Sequence, residues 1–220
     1  MNTSIVQAPE AVHHRLDELG FPATACQETI DAMVAAQRSW TTNDVMGAGG
    51  TRAYLDGTRR ARDVGQSFGW EVNREAGLEA ISHPELKIRI AVCNSTANAC
   101  FVDSAPSNRN PKGPATEVVI ARNNEQLQFM DLLEEASIDK FKPGGTDGFT
   151  TWYLFVYATA DTYKAELSCP LQVEGGHFGK FAQRIFLVRD GDNDNNLQIR
   201  TPLAPCPEHA FDVIVTRKHA

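Results

Sequence analysis

Lys164 and Glu166 stand two residues apart in a run, Tyr163 to Val173, whose apolar members alternate with polar ones. An extended chain sends alternate side chains to opposite faces, so the lysine and the carboxylate share the polar face. Asp147 precedes the neighbouring run in a glycine-rich loop, and His177 follows within Gly175-Gly176-His177-Phe178-Gly179. Two carboxylates, an ammonium and an imidazole at strand ends can hold a divalent metal and activate water, with Asp147 and Glu166 as the ligands. On that reading the catalytic set is Asp147, Lys164, Glu166 and His177. The plainer reading is a Lys–Glu sheet face kept polar against edge pairing.

Restriction-nuclease-type sites place an acid ahead of a strand carrying acid-x-lysine, and the residue types here resemble them. The order is reversed, Lys164-Ala165-Glu166, and the forward Glu85-Leu86-Lys87 stands at a strand entrance after His83-Pro84. A phosphate-bearing substrate would meet Arg52, Arg59, Arg60 and Arg62, with Arg109 and Lys112 of a proline-rich loop as a second basic element. Asp56 and Asp63 interrupt the arginines, which favours a solvated, salt-bridged helix face.

Other motifs fall short of their chemistry. Gly47-Ala48-Gly49-Gly50-Thr51-Arg52 has neither nucleotide-loop spacing and reads as a linker. Asp190 to Asn196 is rich in oxygen ligands, but Asn195 stands where a calcium loop needs glycine and Thr201 where it needs glutamate. Cys206 and His209 are sequence neighbours, an arrangement that seldom makes a thiol–imidazole dyad.

The elements that would position these groups follow from periodicity. Val12, Leu16 and Leu19 mark a first helix; Ile30, Met33 and Val34 mark a second, with Thr24 and Gln27 in capping-box spacing. A third helix is expected over 71–81, ending before Pro84. From Leu86 to Val92 the period becomes two, as in a half-buried strand. Ser104 to Ala115 reads as loop, Glu117 to Ala121 as a strand, and Asn123 or Asn124 as the cap of one more helix. Thr150–Ala158, 163–173, Phe181–Val188, Leu197–Arg200 and Phe211–Val215 are the remaining expected strands, with Pro170 forcing a bulge or an edge. The expectation is an α+β fold: a helical region over 1–82 packed on a mainly antiparallel sheet in a β-rich region over 83–220 that holds one further helix. The two would form one compact unit.

Composition narrows the function. With 28 acidic against 21 basic residues the net charge is −7, so nucleic acid is a disfavoured partner. Five cysteines with no CxxC pair suit free thiols and a cytoplasmic setting. No run approaches the roughly 18 apolar residues of a membrane span. These readings favour a soluble, non-catalytic binding or regulatory protein with an unknown macromolecular partner and no cofactor. The alternative is a metal-dependent hydrolase, a nuclease among the options, in which a divalent metal would be the only cofactor.

Overall fold

The computed structural model describes residues 3–136 and 148–189. Nine strands and four helices occur among them: β1 (Ser4–Val6), α1 (Pro9–Glu18), α2 (Ala23–Arg38), α3 (Ala48–Gly65), β2 (Glu71–Asn73), β3 (Ala80–His83), β4 (Ile88–Asn94), α4 (Pro114–Ala136), β5 (Thr150–Ala158), β6 (Tyr163–Pro170), β7 (Val173–Glu174), β8 (His177–Phe178) and β9 (Phe181–Val188). Seven strands form one sheet in the order β1-β9-β6-β5-β4-β3-β2, while β7 and β8 pair separately as a small hairpin. The fold is α+β, but the sheet is mixed. β1 runs parallel to β9 and β4 parallel to β5, whereas β2–β3, β3–β4, β5–β6 and β6–β9 are antiparallel. The parallel β4–β5 pair follows from the chain between them, since a parallel neighbour needs a crossover and α4 lies in it.

The first helices form where their apolar stripes predict. Pro9 opens α1, which buries Val12 and Leu16 at i, i+4, and α2 buries Ile30, Met33 and Val34. Thr24 is not the cap of α2; that helix begins at Ala23, behind Pro22, without a side-chain cap. The segment read as a linker opens α3 instead. Gly49, Ala53, Gly57, Ala61 and Gly65 are buried along one face at intervals of four. This narrow stripe lets α3 approach α2 closely: a Cβ on Gly57 would come within 2.3 Å of Met33 Cγ.

The helix expected over 71–81 is not formed. That stretch holds β2, a 3-10 turn at Glu75–Gly77 and β3, with Val72 opposite Ile81. Conversely, the strand expected at Glu117–Ala121 belongs to α4, which runs unbroken from Pro114 and buries Val119, Ile120 and Asn123. β5 and β9 have the expected bounds. β6 ends at Pro170, where its register with β9 shifts, and it lies inside the sheet between β5 and β9. Proline is thus accommodated by a bulge.

One sheet face meets α1, α2 and α3 through Ile90, Val92, Leu154, Leu167 and Ile185. The opposite face is aromatic and polar. Tyr153, Phe155, Phe178 and Phe181 pack there with Ile120, and Phe155 meets Phe178 edge to face at 5.2 Å. Asn123 closes this layer: its amide donates to Thr151 O and Pro170 O and accepts from Thr151 N–H. β4, read as half-buried, is therefore buried on both sides along its centre. No helix among the described residues is long and apolar enough to cross a membrane. The strands expected at 197–200 and 211–215 lie outside the described residues.

Candidate functional site

Two polar centres occupy the aromatic face. The first contains Lys164 and Glu166, which share a face as their spacing requires, but that face is buried and not a solvent edge. Glu166 Oε1 accepts hydrogen bonds from Arg184 Nε (2.9 Å) and Ser168 Oγ (2.7 Å). Its Oε2 accepts from Arg184 Nη2 (2.8 Å) and the Cys100 amide (2.6 Å). All four acceptor positions of the carboxylate are thereby engaged within the protein. Arg184 uses Nη1 to donate to the carbonyls of Phe101 and Ser104 at 2.9 and 3.0 Å. Lys164 donates to Ala97 O at 3.3 Å and lies 4.1 Å from the Phe101 ring centroid.

These charges therefore fasten the chain after β4 onto β6 and β9. Cys100 lies at the centre of the fastening in a left-handed conformation (φ 60°), its Sγ 3.1 Å from Ala165 O and 3.2 Å from Val188 O. Burial pushes its thiol up to about 12, and the Glu166 carboxylate adds to the shift.

The other expected catalytic residues are not gathered here. His177 is exposed on the β7–β8 hairpin, opposite Glu174, and no described contact joins it to Lys164 or Glu166. Asp147 lies outside the described residues, as do the Asp190–Asn196 loop and the Cys206–His209 segment. Among the described residues no three His, Cys, Asp or Glu side chains converge as metal ligands would. The four arginines lie on α3, each against a carboxylate: Arg52 with Asp44, Arg59 with Asp63 at 3.7 Å, Arg60 with Glu28, and Arg62 with Glu79.

The second polar centre lies where the chain leaves β4. Lys112, half-buried just before α4, places its ammonium 6.0 Å from the Tyr54 ring centroid and 5.9 Å from that of Tyr153. Tyr54 comes from α3 and Tyr153 from β5; Cys93 of β4 completes the group. Lys112 is held from behind, because its amide donates to Gly176 O at 2.8 Å. Only glycine fits at 176: φ is 77°, and a Cβ would meet Pro111 Cβ at 2.8 Å. Burial raises the Cys93 thiol, while Lys112 opposes that shift through charge and hydrogen bonding. Burial also raises the Tyr153 phenol, with Cys93 and Tyr54 adding to the shift and Thr116 opposing it. Lys112 was legible as a cation in a proline-rich loop, but its partners come from three distant elements.

The α2–α3 connection projects apolar side chains into water. Val45 and Met46 are 78% and 100% exposed, and Trp40 is also exposed. The connection is nonetheless fixed. Asp44 accepts from the Thr41 amide at 2.9 Å and pairs with Arg52, while Ala48 N–H donates to Val45 O at 3.1 Å. Below it, Gln37, Asn94, Ser95 and Arg109 line a small cleft. Compared with known protein families, curated proteins and solved structures, the chain matches none of them.

Proposed function

We propose that this is a non-catalytic binding or regulatory protein that engages a partner protein through the α2–α3 connection. The carrying observation is the pair Val45–Met46, held in water by a connection pinned at Asp44. A backbone already pinned loses little further freedom on binding, so transfer of the two side chains into an apolar recess of a partner is offset only by their own ordering. A partner with such a recess is the occupant that this chemistry recognises. Phosphates are a poorer match, since the α3 arginines nearby already face carboxylates.

The alternative, a metal-dependent hydrolase, turns on Asp147, outside the described residues, and on Glu166, whose oxygens already accept four hydrogen bonds. The binding reading is preferred for that reason.

The test is site-specific photo-crosslinking in the producing cell, with p-benzoylphenylalanine in place of Met46 and, as a control, of the exposed Val118. The expected result is one discrete adduct from position 46 only. Excess wild-type protein should suppress that adduct, and the Val45→Asp/Met46→Asp double variant should not. Equal suppression by both competitors, or identical adducts from the two positions, would overturn the proposal.

A further inference from the structure

Lys112 stands apart from the ion-paired arginines of the chain. Arg15, Arg52, Arg59, Arg60, Arg62, Arg74, Arg89 and Arg184 each stand within ion-pair distance of a carboxylate. Lys112 has none among the described residues, although it is half-buried and the protein is acidic overall. Its neighbours are two tyrosine rings and the Cys93 thiol. Taking an ammonium partly out of water without a counter-charge is unfavourable, so such a position invites an anion.

A second observation points the same way. Among the described residues the Tyr153 hydroxyl is buried with no partner in hydrogen-bond geometry; Thr116 lies near it and eases the rise of the phenol without satisfying it. Buried hydroxyls are normally satisfied, and those that are not mark the place of a missing acceptor or donor. A water molecule would satisfy Tyr153 but would leave the ammonium without a counter-charge. A compact anion answers both. The start of α4 adds favourable potential, since Lys112 lies two residues before Pro114 and the first turn of a long helix is its positive end.

We propose that the cluster of Lys112, Tyr153, Tyr54 and Cys93 binds a compact oxyanion group, a carboxylate or a phosphate. Lys112 supplies the charge and Tyr153 the neutral donor; Tyr54 is the second ring beside the ammonium. This site is independent of the α2–α3 connection, so either reading can fail alone.

The experiment is calorimetric titration of the full chain with sodium phosphate and, separately, sodium acetate, at ionic strength held constant with sodium chloride. Saturable one-site binding of phosphate, acetate or both is expected, and which of them binds identifies the group. Lys112→Met and Tyr153→Phe should each weaken binding at least tenfold, while Lys180→Met, at an exposed lysine, should leave it unchanged. The bound anion should also raise the thermal midpoint of the wild-type protein above its value in chloride, a readout independent of whether the variants fold. Absence of binding by both anions, or equal loss in Lys180→Met, would overturn the site. So would undiminished affinity in folded Lys112→Met.

Discussion

The two polar centres share one face of one sheet, and they differ in whether their donors and acceptors find each other. Around Glu166, each carboxylate oxygen accepts two hydrogen bonds, and Arg184 donates from Nη1 to two loop carbonyls. Around Lys112 a cation has no carboxylate and a buried hydroxyl has no partner among the described residues. Buried charge by itself therefore does not distinguish fastening from function. The closed centre holds the chain in place, and the incomplete one leaves a charge and a donor for a group the chain does not supply.

The largest expected effect comes from opening the closed centre. Glu166→Ala leaves the Arg184 guanidinium buried without its carboxylate, which should cost about 3–5 kcal/mol of stability. Replacing both residues, Glu166→Met with Arg184→Met, should recover most of that loss, because an apolar pair carries no stranded charge. Urea denaturation of the three variants measures both effects. A loss below about 1 kcal/mol for Glu166→Ala, the range of an exposed pair, would remove the contrast between the centres.

How much of this was legible in the sequence depends on the reach of each interaction. β5 and β9 declare themselves through β-branched and aromatic runs, and the alternation over 163–170 correctly puts Lys164 and Glu166 on one face. What covers that face was not legible. Cys100 and Phe101 lie more than sixty residues away, and no local pattern announces their return. α3 escaped for a different reason. Its buried stripe is built of Gly and Ala, residues that carry almost no hydrophobic signal, although the spacing of four is regular from Gly49 to Gly65. Over 71–81 the strands are three and four residues long, too short for alternation to outweigh a helix-like spacing. Lys112 could be named from the sequence, whereas its relation to Tyr54 and Tyr153 required the fold.

A smaller effect, spread over pH, separates the thiols of the molecule. Burial holds Cys26, Cys100 and Cys169 up to about 12, against an ordinary value of 9.0. Unfolded thiols ionise near the ordinary value while the folded ones keep their protons. Stability from this source is thus complete below pH 9 and falls as pH rises toward 12. The slope reaches about 1.4 kcal/mol per pH unit for each thiol. Cys100→Ala should flatten the alkaline limb of a stability–pH curve in proportion to its share. Burial raises the Cys93 thiol too, so Cys93→Ala should also flatten the limb, while Lys112→Met, which removes the charge opposing that shift, should extend the fall to higher pH. An unchanged alkaline limb in Lys112→Met would show that Lys112 does not act on Cys93.

The finest comparison lies between two hydroxyls that face each other across neighbouring strands. Tyr153 of β5 is the direct partner of Ser168 of β6, so both project from the same face. Ser168 donates to the Glu166 carboxylate at 2.7 Å, and a hydrogen bond to a charged group contributes about 1.5–3 kcal/mol. Ser168→Ala should therefore lower stability by an amount in that range. Tyr153 has no partner in hydrogen-bond geometry among the described residues, so Tyr153→Phe removes a polar atom that is already desolvated and unsatisfied. That change should be close to neutral, within about 0.5 kcal/mol, or slightly stabilising. Thermal melting in anion-free buffer should show this asymmetry, because the two positions share backbone environment and burial but not hydrogen bonding. Adding the anion should then stabilise the wild type and leave Tyr153→Phe behind. If Tyr153→Phe is as damaging as Ser168→Ala without anion, the phenol already has a partner within the chain. The incomplete centre would then be a second closed one.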